Sequence, residues 1–220
     1  MGILKDFTVS AARPLPVIIM ADVSGSMAAG GKIDALNTAL KEMIASFAAE
    51  EEGNAEIQVA ILSFGKEVLW RQDLVSASQV TWSPLEARGP TPMGMALREV
   101  TALLCDREKI SGRAYSPTVV LLSDGQPTDG WEEPLEDFLG SKRASKAQRF
   151  AMAIGEDAEE GVLMRFLDNP EARVFRAHEA REIQKFFRWV TMSVTSRSRS
   201  SSPEQVVEID PLSLDDYGDF

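Results

Sequence analysis

Asp22, Ser24 and Ser26 place three hard oxygen donors at alternate positions of one short stretch, with Gly25 between the two serines. A curled loop can aim all three side chains at one centre, and Gly25 is expected to allow the tight path. Carboxylate and hydroxyl oxygens with no His or Cys among them suit a hard cation. Mg²⁺ is the first choice, and Mn²⁺ and Ca²⁺ are compatible with the same donors. A plainer role competes for the serines, since either can cap a helix.

The elements that must position these donors are legible on both sides. Pro16 to Ala21 is a short apolar run, rich in β-branched residues, that reads as a buried strand. Lys32 opens a helical pattern with apolar residues at Ile33, Leu36, Leu40, Met43, Ile44 and Phe47. The oxygens therefore fall at the carboxyl end of a strand, where open α/β sheets put their ligand sites.

In this setting Asp22-x-Ser24-x-Ser26 resembles the metal-ion-dependent adhesion site of the von Willebrand factor A (VWA) domain. That family completes the site with a threonine from a second loop and an aspartate from a third. The sequence offers Thr91 in Gly89-Pro90-Thr91-Pro92-Met93-Gly94 and Asp124 in Val119-Val120-Leu121-Leu122-Ser123-Asp124-Gly125. The resemblance covers roughly residues 14 to 195. It implies a metal held by Asp22, Ser24, Ser26, Thr91 and Asp124. The serines would bind directly, Thr91 directly or through water, and the two aspartates largely through water. An ion so weakly neutralised keeps a position for an Asp or Glu of a protein partner. Thr91 before Pro92 also reads as a helix N-cap, and Asp124-Gly125 as ordinary turn chemistry.

After that third aspartate the run Gly125-Gln126-Pro127-Thr128-Asp129 is similar to the bacterial TerY, or tellurite-resistance, group. This implies a cytoplasmic stress-response or defence role. Protein kinases and metal-dependent Ser/Thr phosphatases, neighbours of that group, are then candidate partners. Met27, Pro90, Met93 and Trp131 crowd the same loops and are expected to form an apolar rim for partner contact. Packing inward is the other reading, at least as strong for Met93.

The expected role is thus a non-enzymatic interaction module. Its best catalytic rival is a Mg²⁺-dependent aspartyl phosphotransferase or phosphatase attacking through Asp22. Phosphatases of the haloacid-dehalogenase type want a second acid two residues on, where this chain has Ser24. The only histidine, His178, stands at the start of a late helix, so a Ser-His-Asp triad has no base near the site loops. Neither a Walker-type phosphate loop nor a G-x-G-x-x-G turn is present.

A net charge of −11 in 220 residues argues against sequence-independent nucleic-acid binding and disfavours anionic membrane. The first residues lack a secretory h-region, and the single Cys105 forms no internal disulfide, so the cytoplasm is the expected compartment. Cys105 itself falls on the apolar side of a helix and is expected to be inert core.

In chain order, strands are expected at Ile57–Phe64 and Glu67–Leu74, joined so tightly through Gly65-Lys66 that they must run antiparallel. Residues 76–88 give no clear pattern. A helix follows Thr91 to about Asp106, then a strand at Thr118–Leu122, a helix from Pro134 and a strand at Phe150–Ile154. A short helix stopped by Pro170, a strand at Val174–Ala177 and a final helix through Val190 complete the series. The cadence implies an α/β fold: a doubly wound, mostly parallel sheet with one antiparallel edge strand and helices on both faces, the Rossmann-like arrangement of the VWA family.

Composition changes at Ser196. Residues 1–195 are expected to form the domain, and 196–220 a Ser-rich, then acidic, disordered tail. From Glu204 onward there are six acids, no Lys or Arg and seven large apolar residues. A solvated extension and a docking segment fit that composition about equally. The docking reading includes self-contact with a metal site.

Overall fold

The computed structural model describes residues 12–50, 54–123, 126–155 and 158–204. Six strands form one sheet in the order β3-β2-β1-β4-β5-β6. They are β1 (Arg13–Asp22), β2 (Ala55–Phe64), β3 (Val68–Ser76), β4 (Thr118–Ser123), β5 (Gln148–Ile154) and β6 (Phe175–Ala177). The helices are α1 (Lys32–Ala48), α2 (Met93–Cys105), α3 (Glu132–Gly140), α4 (Glu160–Leu167) and α5 (Ala180–Arg199). Only the β2–β3 pair is antiparallel, which matches the expected fold class.

Strand alternation divides the core in two. Val17, Ile19 and Ala21 of β1 face α1 and α5, whereas Ile18 and Met20 face α2, α3 and α4. A strand buried on both faces needs a near-continuous apolar run, and β1 is buried from Leu15 through Asp22, apolar as far as Ala21, with Arg13 and Pro14 at its start partly exposed. The chain leaves β1 through α1 to β2 on one side, while β4 pairs with β1 on the other. The sheet order thus reverses between β1 and β4, and a crevice opens outside their carboxyl ends.

Residues 76–88, which showed no pattern, hold one short turn at Ala77–Gln79 and then an irregular run. That run is pinned by Asn37 of α1, whose side chain accepts from Leu85 N at 2.7 Å and donates to Leu85 O at 3.0 Å. A side chain thereby takes the backbone bonds that a ladder would otherwise satisfy.

Two expectations need correction. Cys105 is exposed, not core: it ends α2, one residue past Leu104 and about 100° round from that buried position. The boundary at 196 also falls inside packed structure. Helix α5 runs on to Arg199, with Arg197 1% and Ser198 0% exposed. Arg197 donates to Pro203 O (3.0 Å), Thr118 Oγ1 (2.8 Å), Gln148 Oε1 (3.1 Å) and Ser116 O (2.9 Å). It therefore ties the end of α5 to the amino ends of β4 and β5. Arg199 grips Glu50 bidentately, and Asn54 N donates to Ser198 O at 2.7 Å. Residues 205–220, most of the expected tail, lie outside the described residues.

Candidate metal centre

Asp22 closes β1 in the crevice and is fully buried. Its Oδ1 accepts from Ser24 N at 2.8 Å and its Oδ2 from Ser123 Oγ, at the end of β4, at 2.5 Å. A buried carboxylate needs such donors to offset its lost hydration. Here they also fix its orientation across the β1–β4 switch point.

Past Asp22 the chain is held by backbone bonds to two other loops. Val23 N donates to Phe64 O (2.8 Å), Arg88 N to Val23 O (2.7 Å), Lys66 N to Arg88 O (2.9 Å) and Gly25 N to Gly89 O (2.9 Å). The glycine this clamp requires is Gly89, with φ of +87° and room for no Cβ, which would lie 2.5 Å from Lys66 Cα. Gly25 has no positive φ, and a Cβ there would come only to 3.7 Å from Gly89 O, so the expected need for glycine at 25 is not borne out.

So held, the loop brings Ser24 Oγ to 2.9 Å from Ser26 Oγ. Ser24 is buried and Ser26 exposed, so the pair reaches from the interior to the surface. Neither hydroxyl caps a helix: the turn at Gly25–Gly31 and α1 both lack side-chain cap bonds.

Thr91 is buried at 5% exposure and does not cap α2 either. The free N–H groups of that helix, at Gly94 and Met95, are taken by the Asp129 carboxylate from another loop, each at 2.9 Å. Thr128, beside it, accepts from Thr91 N at 3.1 Å and donates its own N–H to Thr91 O at 2.9 Å. Gly94 lets the two loops meet, since a Cβ there would stand 2.2 Å from Gly130 O. Thr128 and Asp129 therefore set where Thr91 sits. Among the expected ligands, Asp124 lies outside the described residues, although its predecessor Ser123 contacts Asp22.

The donor set fits a hard cation. Mg²⁺ takes oxygens at about 2.0–2.1 Å in octahedral array, which puts neighbouring donors about 2.9 Å apart; the two serine hydroxyls, hydrogen-bonded to each other at 2.9 Å, are close enough to be such neighbours. Among the described residues no cluster of three His, Cys, Asp or Glu capable of holding a metal occurs.

The expected rim is partly corrected. Met27 and Met93 are buried core, while Pro90 is exposed. Trp131 is half-buried, with the Arg165 guanidinium 4.7 Å from its ring centroid. Met95, not singled out from the sequence, is 56% exposed beside Asp129. His178 is exposed after the edge strand β6, two strands from β4.

The sequence profile of the von Willebrand factor type A domain matches residues 17–189. The chain belongs to that family. Solved structures with the same VWA architecture include the pilus adhesin SpaC of Lactobacillus rhamnosus GG in an open conformation (TM-score 0.67, 16% identity, 86% of this chain and 31% of that one). Another is proximal thread matrix protein 1 of the mussel byssus with a zinc-occupied MIDAS motif (TM-score 0.64, 17% identity, 84% and 48%). A third is the ArnB paralog VWA2 of Sulfolobus acidocaldarius (TM-score 0.58, 16% identity, 84% and 45%). In sequence, an uncharacterized Mycobacterium tuberculosis protein, Rv2850c, is 30% identical over 135 residues, 60% of this chain and 20% of that protein. This VWA domain thus spans about a fifth of that relative and under a third of SpaC. Among the described residues no helix is long and apolar enough to cross a membrane.

Proposed function

We propose that this VWA domain is a non-enzymatic, Mg²⁺-dependent protein-interaction module. Asp22, Ser24, Ser26, Thr91 and Asp124 hold the ion, and a partner's Asp or Glu completes its coordination. The observation that carries this reading is the meeting of Ser24 Oγ and Ser26 Oγ at 2.9 Å beside a fully buried Asp22, at the switch point of the sheet. When bound, the ion supplies an electrophilic centre that a carboxylate ligand satisfies. The zinc-occupied MIDAS motif of the mussel protein supports metal binding at this fold position.

The surroundings suit an acidic, partly apolar partner segment. Exposed Lys66 and Arg88 lie on the clamping loops and pair with no carboxylate among the described residues, while Met95 and Pro90 offer apolar area. An aspartyl phosphotransferase is less well supported, because both Asp22 oxygens already accept hydrogen bonds and the residue has no exposed surface. A cytoplasmic TerY-type stress or defence role, with a kinase or Ser/Thr phosphatase as partner, is the finer reading; it rests on the Gly125–Asp129 run.

The test is thermal unfolding with and without Mg²⁺. Saturating metal at about a hundredfold excess over Kd stabilises the folded protein by about 2.7 kcal/mol. Asp22→Ala and the Ser24→Ala/Ser26→Ala pair are expected to stay folded and lose that gain. Equal metal stabilisation in wild type and variants overturns the site, and Mg²⁺-dependent phosphatase turnover abolished by Asp22→Asn overturns the non-enzymatic reading.

A further inference from the structure

The pole of the sheet opposite the metal centre carries a second feature of defined chemistry. A cleft of about 600 Å³ lies between the end of α2, the 107–117 connection, the start of β1 and the segment before β5. Its lining includes five cations, Arg13, Arg107, Lys142, Arg143 and Lys146, against one acid, Glu204. Such a concentration of positive charge stands out in a chain of net −11.

Two of these cations are committed to structure. Arg13 pairs with Glu204 at 2.9 Å and lies 3.8 Å from the Tyr115 ring centroid; Arg143 donates to Ile110 O and Ser111 O, both at 2.8 Å. The side chains of Arg107, Lys142 and Lys146 are exposed and make no hydrogen bond or ion pair with the described residues. Uncompensated like charges around one concavity raise the local potential and favour an anionic occupant. Leu104, Ala114 and Pro117 add apolar wall to the same cleft.

We propose that this cleft binds an acidic peptide segment and that its occupant is residues 205–220 of the same chain. The path of the backbone is the first argument. Glu204 already sits in the lining, accepting from Ser116 N at 3.2 Å and paired with Arg13, while Pro203 is buried and bonded to Arg197. Glu204, the last described residue, therefore lies in the cleft itself. Charge is the second: residues 205–220 hold Glu208, Asp210, Asp215, Asp216 and Asp219, no Lys or Arg, and large apolar residues between them. Distance is the third. The metal centre lies at the far end of β1, about 30 Å away along the strand, whereas the cleft is adjacent. Tethering at that range gives an effective concentration of about millimolar, enough to populate weak docking. The expected self-contact of the tail with a metal site is thereby reassigned to the opposite pole.

Cys105 provides the probe, because it is the single cysteine, exposed, and lines the cleft. Alkylation by a neutral reagent, iodoacetamide, is expected to be several-fold slower in the full chain at low salt than at high salt. The same acceleration is expected in the Lys142→Glu/Lys146→Glu variant and in a chain ending at Glu204. A nitroxide on Cys105 is expected to broaden amide signals of residues 206–219 in the wild type and not in the double variant. Equal alkylation rates in all four cases, with no broadening, overturn the proposal. Broadening that disappears when spin-labelled, isotope-enriched protein is diluted into unlabelled protein assigns the cleft to a second copy's tail and overturns the intramolecular arrangement. A synthetic 205–220 peptide that binds the chain ending at Glu204 but not the full chain supports it.

Discussion

At the scale of single residues, the site depends on side chains that do not themselves face the centre. Asp129 is the clearest case: one carboxylate takes two backbone N–H groups of α2 and, with Thr128, sets the position of Thr91. Asp129→Ala leaves both donors without their partner and is expected to cost about 1 kcal/mol, the usual loss of a helix N-cap. It is also expected to weaken the Mg²⁺ response, because Thr91 loses its lateral support. Asp129→Asn retains one acceptor oxygen and should fall between the two. Thermal unfolding with and without metal measures both effects, and an unchanged metal response in Asp129→Ala would separate capping from site formation. The pattern Asp22-x-Ser24-x-Ser26 was legible because each member is a donor at a fixed spacing. The role of Asp129 was not, since it depends on two loops about 35 residues apart in sequence meeting at Gly94. A polar residue after Pro127 looks the same whether it caps a remote helix or faces water.

Among the elements, α5 departs most from its sequence pattern. Its first half is announced by Ile183, Phe186, Phe187 and Val190, and the buried positions continue as Ser193, Val194, Arg197 and Ser198. The helical spacing persists while apolar identity is lost, so Ser196–Ser202 reads as low complexity. Small serines permit close packing, and Arg197 is tolerated in the interior because its four hydrogen bonds accompany a partial loss of hydration. Burial pulls the Arg197 pKa down, and the charge of Glu204 opposes that shift. Arg197→Ala is expected to destabilise the fold by about 3 kcal/mol, and Arg197→Lys to recover only part, since an ammonium cannot reproduce the planar fork. Urea titration reads both. For Glu204, burial alone would raise the carboxyl pKa, but hydrogen bonds from Ser116 and the charges of Arg13 and Arg197 hold it below its ordinary value. Its contribution is therefore present above the unfolded-state pKa and lost as pH falls through the lower folded value. Because the residue is half-exposed, the advantage over Glu204→Gln at neutral pH is at most about 1 kcal/mol. That advantage is expected to shrink as pH falls below the ordinary carboxylate range and to vanish only below the lower folded-state pKa, as stability curves across pH would show.

For the molecule as a whole, the strand and helix order was readable because β1 and β4 each carry an unbroken apolar run, Leu15–Ala21 and Val119–Leu122, and each helix carries a clear buried stripe. What could not be read was the extent of the domain, since its final lock is polar. A chain ending at residue 195 lacks Arg197, Arg199 and Glu204 and is expected to unfold several kcal/mol more easily than the full chain, by a total that departs from the sum of single substitutions because Arg197 and Glu204 interact. One ending at Glu204 keeps that lock and is expected to lose only what tail docking contributes, about 1 kcal/mol for a several-fold populated docked state. Denaturant midpoints of the two truncations decide where the cooperative unit stops.

The Arg13–Glu204 contact has a topological consequence. It brings the first strand and Glu204, the last described residue, together at one point, 2.9 Å apart through their side chains, with the metal-site loops at the other extremity. A unit whose inlet and outlet coincide can be spliced into a surface turn of a host protein with little strain, because the host need open by only one turn's width. Its binding loops then project outward like the head of a stud, and the host's own geometry is left undisturbed.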